Sequence, residues 1–164
     1  MKNHLSNHIP FLDQVFKNLS NLGIDTMPYE LDHIAYRATT QESFKNVTAY
    51  LSVEGTRIHR KIIRNRFVDI YKLNKPLSYK DRNISFVELL SPAEGDTFVE
   101  GLEHVEFVVA DHKLKEIVEN HPSELWNLNG INREYNAEIG LLFENGANVK
   151  FHTTPISEVI RHED

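Results

Sequence analysis

The sequence predicts an α+β fold in which a βαβββ module occurs twice after an N-terminal helix. Two segments with similar sequences mark the repeat, Leu31–Arg37 and Leu102–Val108. Each is an apolar strand with histidine as its third residue, and each is followed at the same distance by a helical pattern and about three short strands. The first module ends on the strand Ile84–Leu90 and the second on Ala147–His152.

The repeat defines the predicted organisation of the 164 residues as a single domain, because this length can bury one core. Residues 1–28 form a helical extension, residues 29–91 the first module and residues 101–164 the second. The segment Ser91–Gly101 contains a proline and two glycines, so we interpret it as a linker between modules of one domain.

Apolar side chains at three- and four-residue spacing predict three helices. The helices span Pro10 to Leu22, the residues between Thr39 or Thr40 and Gly55, and the residues between Asp111 and Pro122. Thr39 or Thr40 and Asp111 are the predicted N-caps, since their side-chain oxygens can accept from the first turn. Gly23 is the predicted C-terminal cap of the first helix.

Short runs rich in β-branched, aromatic and aliphatic residues predict the strands. They are Leu31–Arg37, Thr56–Ile63, Arg66–Leu73, Ile84–Leu90, Leu102–Val109, Ile139–Glu144 and Ala147–His152, with a further run near Ile131–Tyr135. Asn145-Gly146 predicts a type I′ hairpin between the last two strands. The residues from Lys72 to Arg82 are predicted to form a loop.

The amino-acid composition limits the kinds of molecule that this protein is expected to bind. The net charge of −6 argues against binding to nucleic acid, and no apolar run is long enough to span a membrane. The absence of cysteine excludes disulfides and thiolate chemistry, and the N-terminus lacks a signal-peptide pattern. We therefore expect a cytoplasmic protein with a small-molecule ligand. The N-terminal helix either covers the sheet, which we favour, or mediates a homodimer.

Side chains alternate between the two faces of a strand. In each of four predicted strands, this alternation places the candidate ligands on one polar face. These polar faces carry His33, Ala35 and Arg37; Phe86 and Glu88; His104 and Glu106; and Asn148, Lys150 and His152. Two interpretations are open: the residues converge on a small-molecule or metal site, or they belong to a sheet face exposed to water. The equivalence of His33 and His104 under the repeat favours the first.

Histidine and glutamate supply the ligand atoms that divalent transition metals prefer near neutral pH, so Zn, Fe, Mn, Ni and Co are the candidate cofactors. Such an ion can polarise a carbonyl or enediol oxygen. Arg37, on the face of His33, can bind a substrate carboxylate or phosphate. Glu106 can act as a base or as a hydrogen-bonding partner of a histidine.

Three segments closely resemble the YecM family, which lies within the vicinal oxygen chelate superfamily of glyoxalase I, extradiol dioxygenases and bleomycin-resistance proteins. They are Leu-Asp-His-Ile-Ala-Tyr-Arg (31–37), Phe-Val-Glu-Leu-Leu-Ser-Pro (86–92) and Gly-Leu-Glu-His-Val-Glu-Phe-Val (101–108). The resemblance covers almost the whole chain. It implies two βαβββ modules whose strands form a curled mixed sheet with a cleft.

The resemblance also implies a divalent metal held by His33, Glu88, His104 and His152. In the glyoxalase pattern the last ligand is a glutamate, whereas this chain offers His152. The carboxylate that serves as a base in isomerising members is then missing, which disfavours isomerisation of the lactoylglutathione type.

The function we expect is therefore a metal-dependent enzyme, a dioxygenase, lyase or isomerase, that chelates vicinal oxygens of a small oxygenated metabolite. Arg37 would bind the substrate, Glu106 would act in catalysis, and His152 would be a fourth ligand or an acid/base. The alternative is a non-catalytic protein that sequesters or senses a small molecule in the same cleft.

Overall fold

A computed structural model describes residues 2–163, which form four helices and eight strands. The helices are α1 (His8–Asn21), α2 (Gln41–Glu54), α3 (Asp111–Asn120) and α4 (Ile156–Glu163). The strands are β1 (Glu30–Arg37), β2 (Gly55–Ile63), β3 (Arg66–Tyr79), β4 (Arg82–Leu90), β5 (Gly101–Val108), β6 (Trp126–Asn127), β7 (Glu138–Leu142) and β8 (Asn148–His152). Among these residues, no helix is both long and apolar enough to cross a membrane.

The predicted duplication is confirmed, because the order βαβββ occurs twice, as β1-α2-β2-β3-β4 and as β5-α3-β6-β7-β8. The chain divides into two compact units. The first unit comprises Met1–Ile9 and His33–Glu103, and the second comprises Pro10–Asp32 and His104–Asp164. Most of α1 therefore belongs to the second unit. The α+β class and the N-terminal helix are as predicted.

In the first unit the strands follow the order β2-β3-β4-β1. β1 runs parallel to β4 and the other two pairs are antiparallel, so the sheet is mixed. The β1–β4 register pairs His33 with Phe86 and Ala35 with Glu88. His33 and Glu88 therefore lie on one face as diagonal neighbours, as the alternation predicts.

In the second unit the order is β5-β8-β7-β6, with β5 parallel to β8 and the other pairs antiparallel. Phe107 of β5 stacks on Phe151 of β8 with ring centroids 5.5 Å apart, and both side chains are fully buried. Phe16 of α1 meets Phe107 edge-on at 5.9 Å. This contact supports a covering role for α1, while the homodimer stays a prediction.

Two of the predicted helix caps are confirmed and a third is wrong. Thr40 caps α2 in a capping box, in which its side chain accepts from the Ser43 N–H and the Ser43 side chain accepts from the Thr40 N–H. Gly23, with φ of 72°, ends α1. The prediction of Asp111 as an N-cap is wrong, because Asp111 is already the first residue of α3 and Ala110 occupies the cap.

The predicted loop from Lys72 to Arg82 is wrong, because β3 continues to Tyr79 and β4 begins at Arg82. The ladder between them is interrupted by a register shift between Lys72 and Leu77. Pro76, which cannot donate to a ladder, lies within that interruption. The polar and proline-rich composition that suggested a loop therefore marks an irregular stretch of a long hairpin.

The hairpin between β7 and β8 is confirmed, but its predicted turn type is wrong. Gly146 has φ of 86°, whereas a type I′ turn would also need positive φ at Asn145, which this residue lacks. Asn145 Oδ1 instead accepts a hydrogen bond from the Ala147 N–H at 3.2 Å. Both central residues have positive φ in the β2–β3 turn, at Arg64 (49°) and Asn65 (62°).

In the second unit one predicted strand is wrong and one helix was not predicted. The run Ile131–Tyr135 forms turns and bends rather than a strand, and β7 pairs with Trp126–Asn127 instead. A hydrogen bond of 3.2 Å from the Arg133 N–H to the Gly130 carbonyl closes this segment on itself. Helix α4 was not predicted, since its eight residues offer only two turns of apolar spacing.

We expect Gly55→Ala to lower the free energy of unfolding by about 1–3 kcal/mol, because it overpacks a close backbone approach. A Cβ at Gly55 would collide with the Lys72 carbonyl oxygen of β3. Urea unfolding followed by circular dichroism measures the effect. The matched control is Gly140→Ala, whose new Cβ would meet its nearest neighbour, the Val149 carbonyl oxygen, at an ordinary 3.7 Å. Equal unfolding free energies for the two variants would contradict the prediction.

Candidate functional site

The orientation of the His152 ring is fixed by its neighbours in the second unit. His152 ends β8 and is 1% exposed. Its Nδ1 lies 3.2 Å from Asn136 Oδ1, and that oxygen also accepts from the Thr154 backbone N–H at 3.1 Å. Because a backbone N–H can only donate, the shared Asn136 atom is an acceptor and the proton lies on Nδ1. In a neutral His152 ring, Nε2 therefore carries the lone pair.

His152 Nε2 faces two carboxylates. It lies 3.3 Å from Asp32 Oδ2 and 3.7 Å from Glu106 Oε2. Both carboxylates are buried, so water screens them little. A lone pair directed at two carboxylate oxygens is repelled, so the arrangement requires a cation at this point. That cation is a proton, on Nε2 or on a carboxyl oxygen, or a metal ion.

Asp32 is held in this position by α4. Its Oδ2 accepts a buried hydrogen bond of 2.9 Å from the backbone N–H of Ile156, the first residue of that helix. A negative charge at a helix N-terminus is favourable, because the first N–H groups and the helix dipole point toward it. The same oxygen therefore serves the helix terminus and His152.

Glu106 contacts two other polar side chains of this face, His104 and Lys150. Its Oε1 lies 3.3 Å from His104 Nε2 and accepts from Lys150 Nζ at 3.1 Å. The β5–β8 register places Glu106 directly beside Lys150. The second unit thus brings together three residues that the sequence analysis proposed as ligands or catalytic groups, His104, Glu106 and His152.

The remaining predicted ligands lie in the first unit. His33 is 2% exposed, and Glu88 is half-buried on the same face of the β1–β4 pair. His104, in the second unit, is 3% exposed. The interpretation that these histidines merely belong to a water-exposed sheet face is therefore wrong.

Arg37, the predicted substrate anchor, is already engaged in ion pairs within the first unit. Its guanidinium donates two hydrogen bonds to the Glu103 carboxylate, the one from Nη2 at 2.7 Å, and it stacks on the Phe98 ring at 4.1 Å. Asp96 lies 4.0 Å away and receives a hydrogen bond from Arg66, which lowers the pKa of the Asp96 carboxyl. Two of the three guanidinium nitrogens thus bind Glu103, and the third, Nη1, is buried without a hydrogen-bond partner among residues 2–163.

Asp32 and Asn136 were not among the predicted site residues. A carboxylate among the apolar residues of β1 was a signal for Asp32, since an unpaired charge inside a strand core is costly. Asn136 has φ of 48°, a conformation that asparagine tolerates better than most residues. Nothing in its flanking sequence points to His152, which lies 16 residues away.

The family model described as YecM protein matches residues 1–163. Among curated proteins, an uncharacterized protein of Haemophilus influenzae is 28% identical over 106 residues. That alignment covers 64% of this chain and 56% of the relative, so it spans just over half the relative's length.

Two solved structures show the same fold. Structural genomics protein EC4020 has 22% sequence identity and a TM-score of 0.82, with 100% of this chain and 98% of that chain covered. A methylmalonyl-CoA epimerase in complex with methylmalonyl-CoA and NH4+ has 15% identity and a TM-score of 0.54, with 78% and 96% covered. The second is a vicinal oxygen chelate protein, so the predicted fold type is confirmed.

Proposed function

The chain belongs to the YecM family, and we propose that it is a divalent-metal-binding enzyme of the vicinal oxygen chelate type acting on a small oxygenated metabolite. The proposed ligands are His33, Glu88 and His104, with His152 as a fourth ligand or an acid/base. The ion would be Zn, Fe, Mn, Ni or Co, because these metals accept nitrogen and oxygen ligands together. The cytoplasmic location stays a prediction.

The observation that carries the proposal is the environment of His152 Nε2. Its lone pair is directed at Asp32 and Glu106, and the proton of the ring is held on the other nitrogen by Asn136. Within the second unit, Asp32 and Glu106 contribute two negative charges and Lys150 one positive charge. A bound cation would offset the excess negative charge in a region that water reaches little.

The donor set fits a metal ion, since imidazole nitrogens and carboxylate oxygens are common ligands. When bound, such an ion would polarise the vicinal oxygens of the substrate. Glu106 would orient His104 through its 3.3 Å contact with Nε2, which leaves Nδ1 of that ring as the ligand atom. His152, if it is not a ligand, would exchange a proton at Nε2, the atom that faces Asp32 and Glu106.

We expect untagged protein to contain about one equivalent of transition metal, and both His33→Ala and His104→Ala to lose at least about 90% of it. Each substitution removes one nitrogen ligand, and the weakened site should release the ion during purification. Elemental analysis by mass spectrometry measures the content. The matched control is His112→Ala, because His112 is an exposed residue of α3.

Retention of metal in both ligand variants would contradict the assignment of His33 and His104. Wild-type protein that holds no metal and takes up none when it is added would contradict the metal-dependent function altogether. That outcome would instead support the non-catalytic small-molecule binder considered in the sequence analysis. An iron or manganese content would point to oxygen chemistry, and zinc or nickel to Lewis-acid chemistry.

A further inference from the structure

The strand registers identify which residue of the second unit is equivalent to Glu88. In the first unit, Glu88 is the β4 partner of the residue two positions after His33. In the second unit, the residue two positions after His104 is Glu106, and its β8 partner is Lys150. The repeat therefore places Lys150, and not His152, at the position of Glu88. An ammonium group occupies the place at which a duplicated site would carry a second carboxylate.

We propose that Lys150 binds the anionic group of the substrate, which makes the ligand of this site a small carboxylate or phosphate that also carries vicinal oxygens. The inference rests on the proposed function for the metal and adds the charge class of the substrate. Lys150 is not a metal ligand here, because a protonated ammonium offers three donors and no lone pair.

The surroundings of Lys150 suit this role. Its side chain is 29% exposed, whereas that of Glu106, its ion-pair partner at 3.1 Å, is 9% exposed. Glu106 therefore fixes the ammonium group from the buried side, while the side chain still reaches the surface of the unit. Fixed ammonium groups bind carboxylate and phosphate oxygens through short, charge-assisted hydrogen bonds.

Arg37 is a weaker candidate for the same task. Two of its guanidinium nitrogens already bind Glu103, and the third lies 4.0 Å from Asp96. Lys150 binds Glu106 through one carboxylate oxygen, Oε1, which also lies 3.3 Å from His104 Nε2. At Arg37 the nitrogen without a hydrogen-bond partner in the described part of the chain, Nη1, is buried, whereas the Lys150 side chain reaches the surface of its unit.

The test compares two small probes that both chelate through vicinal oxygens. Oxalate is a dianion that leaves two outer carboxylate oxygens for Lys150, whereas acetohydroxamic acid chelates as a monoanion and leaves none. Each is titrated calorimetrically into metal-loaded wild type and Lys150→Met, and metal content is measured afterwards. We expect oxalate affinity to fall about tenfold or more in Lys150→Met, the size of a lost charged hydrogen bond. The affinity for acetohydroxamic acid should change less than about twofold, and Lys150→Arg should restore most of the oxalate affinity.

Lys113→Met is the matched control, since Lys113 also pairs with a glutamate, Glu116, but on α3. Equal losses for both probes would show that Lys150 only supports the structure, and would overturn the proposal. So would unchanged oxalate affinity. If wild type holds no metal, the proposed function fails, and oxalate is then titrated into the metal-free proteins to test the inference by itself. Oxalate binding that depends on Lys150 would sustain the inference, and no such binding would overturn it.

Discussion

Phe151→Ala is expected to lower the free energy of unfolding by about 3–5 kcal/mol, the cost of removing a large side chain from a closed core. The ring is fully buried and stacks on Phe107 with an interplanar angle of 21°. Tyr29 and Trp126 contact it at centroid distances of 6.3 Å and 6.2 Å. Few neighbours can move to fill such a cavity, so the loss should lie near the upper end. Urea unfolding followed by far-ultraviolet circular dichroism measures it.

Phe98→Ala is the matched control, because the Phe98 ring is exposed and contributes a stacking contact with Arg37. We expect that variant to lose less than about 1 kcal/mol. Similar losses for the two variants would contradict the placement of Phe151 in the core. The comparison also bears on the site, since Lys150 and His152 flank Phe151 in β8 and project from the opposite face.

The sequence could predict which side chains of β8 lie on each face, because side chains alternate between the two faces of a strand whatever its tertiary contacts. Val149 and Phe151 are buried in the core, and Lys150 and His152 belong to the polar face, as the alternation requires. The equivalence of His33 and His104 could be predicted for a similar reason. A duplicated module repeats its strand positions, and both histidines are indeed buried.

The register between β5 and β8 could not be predicted from the sequence. That register determines which residue of the second module is equivalent to Glu88 of the first. The family resemblance implied His152 as the last ligand, in place of the glutamate of the glyoxalase pattern. The observed pairing gives Lys150 instead. A shift of two residues keeps the same face of a strand, so alternation cannot distinguish the two assignments.

The sequence also could not show which side chains pair with each other across the fold. The alternation places Arg37 on the polar face but does not show that Glu103, 66 residues later, binds it. The helix terminus served by Asp32 lies 124 residues away, in a helix that the sequence analysis did not predict. Contacts of this range depend on where separate elements meet, which residue periodicity does not encode.

Asp32 should have separable effects on metal binding and on stability. We expect Asp32→Asn and Asp32→Ala both to weaken metal affinity about 10- to 100-fold, because both remove the negative charge beside His152 Nε2. Only the alanine variant also lacks an acceptor for the Ile156 N–H. It should therefore lose about 1–2 kcal/mol of unfolding free energy, whereas the asparagine variant should lose about 0.5 kcal/mol from the weaker interaction with the helix dipole.

Competition with a chelator of known affinity measures metal binding, and urea unfolding of the metal-free proteins measures stability. Asp25→Asn is the control for charge, since Asp25 is exposed and its Oδ1 accepts a local hydrogen bond from the Met27 N–H. If Asp32→Asn binds metal as tightly as wild type, Asp32 acts only at the terminus of α4, and the cation beside His152 Nε2 is a proton. If both Asp32 variants lose metal while only the alanine variant loses appreciable stability, the carboxylate acts on the cation directly. The second outcome is expected, because one oxygen lies within 3.3 Å of both the ring nitrogen and the helix N–H.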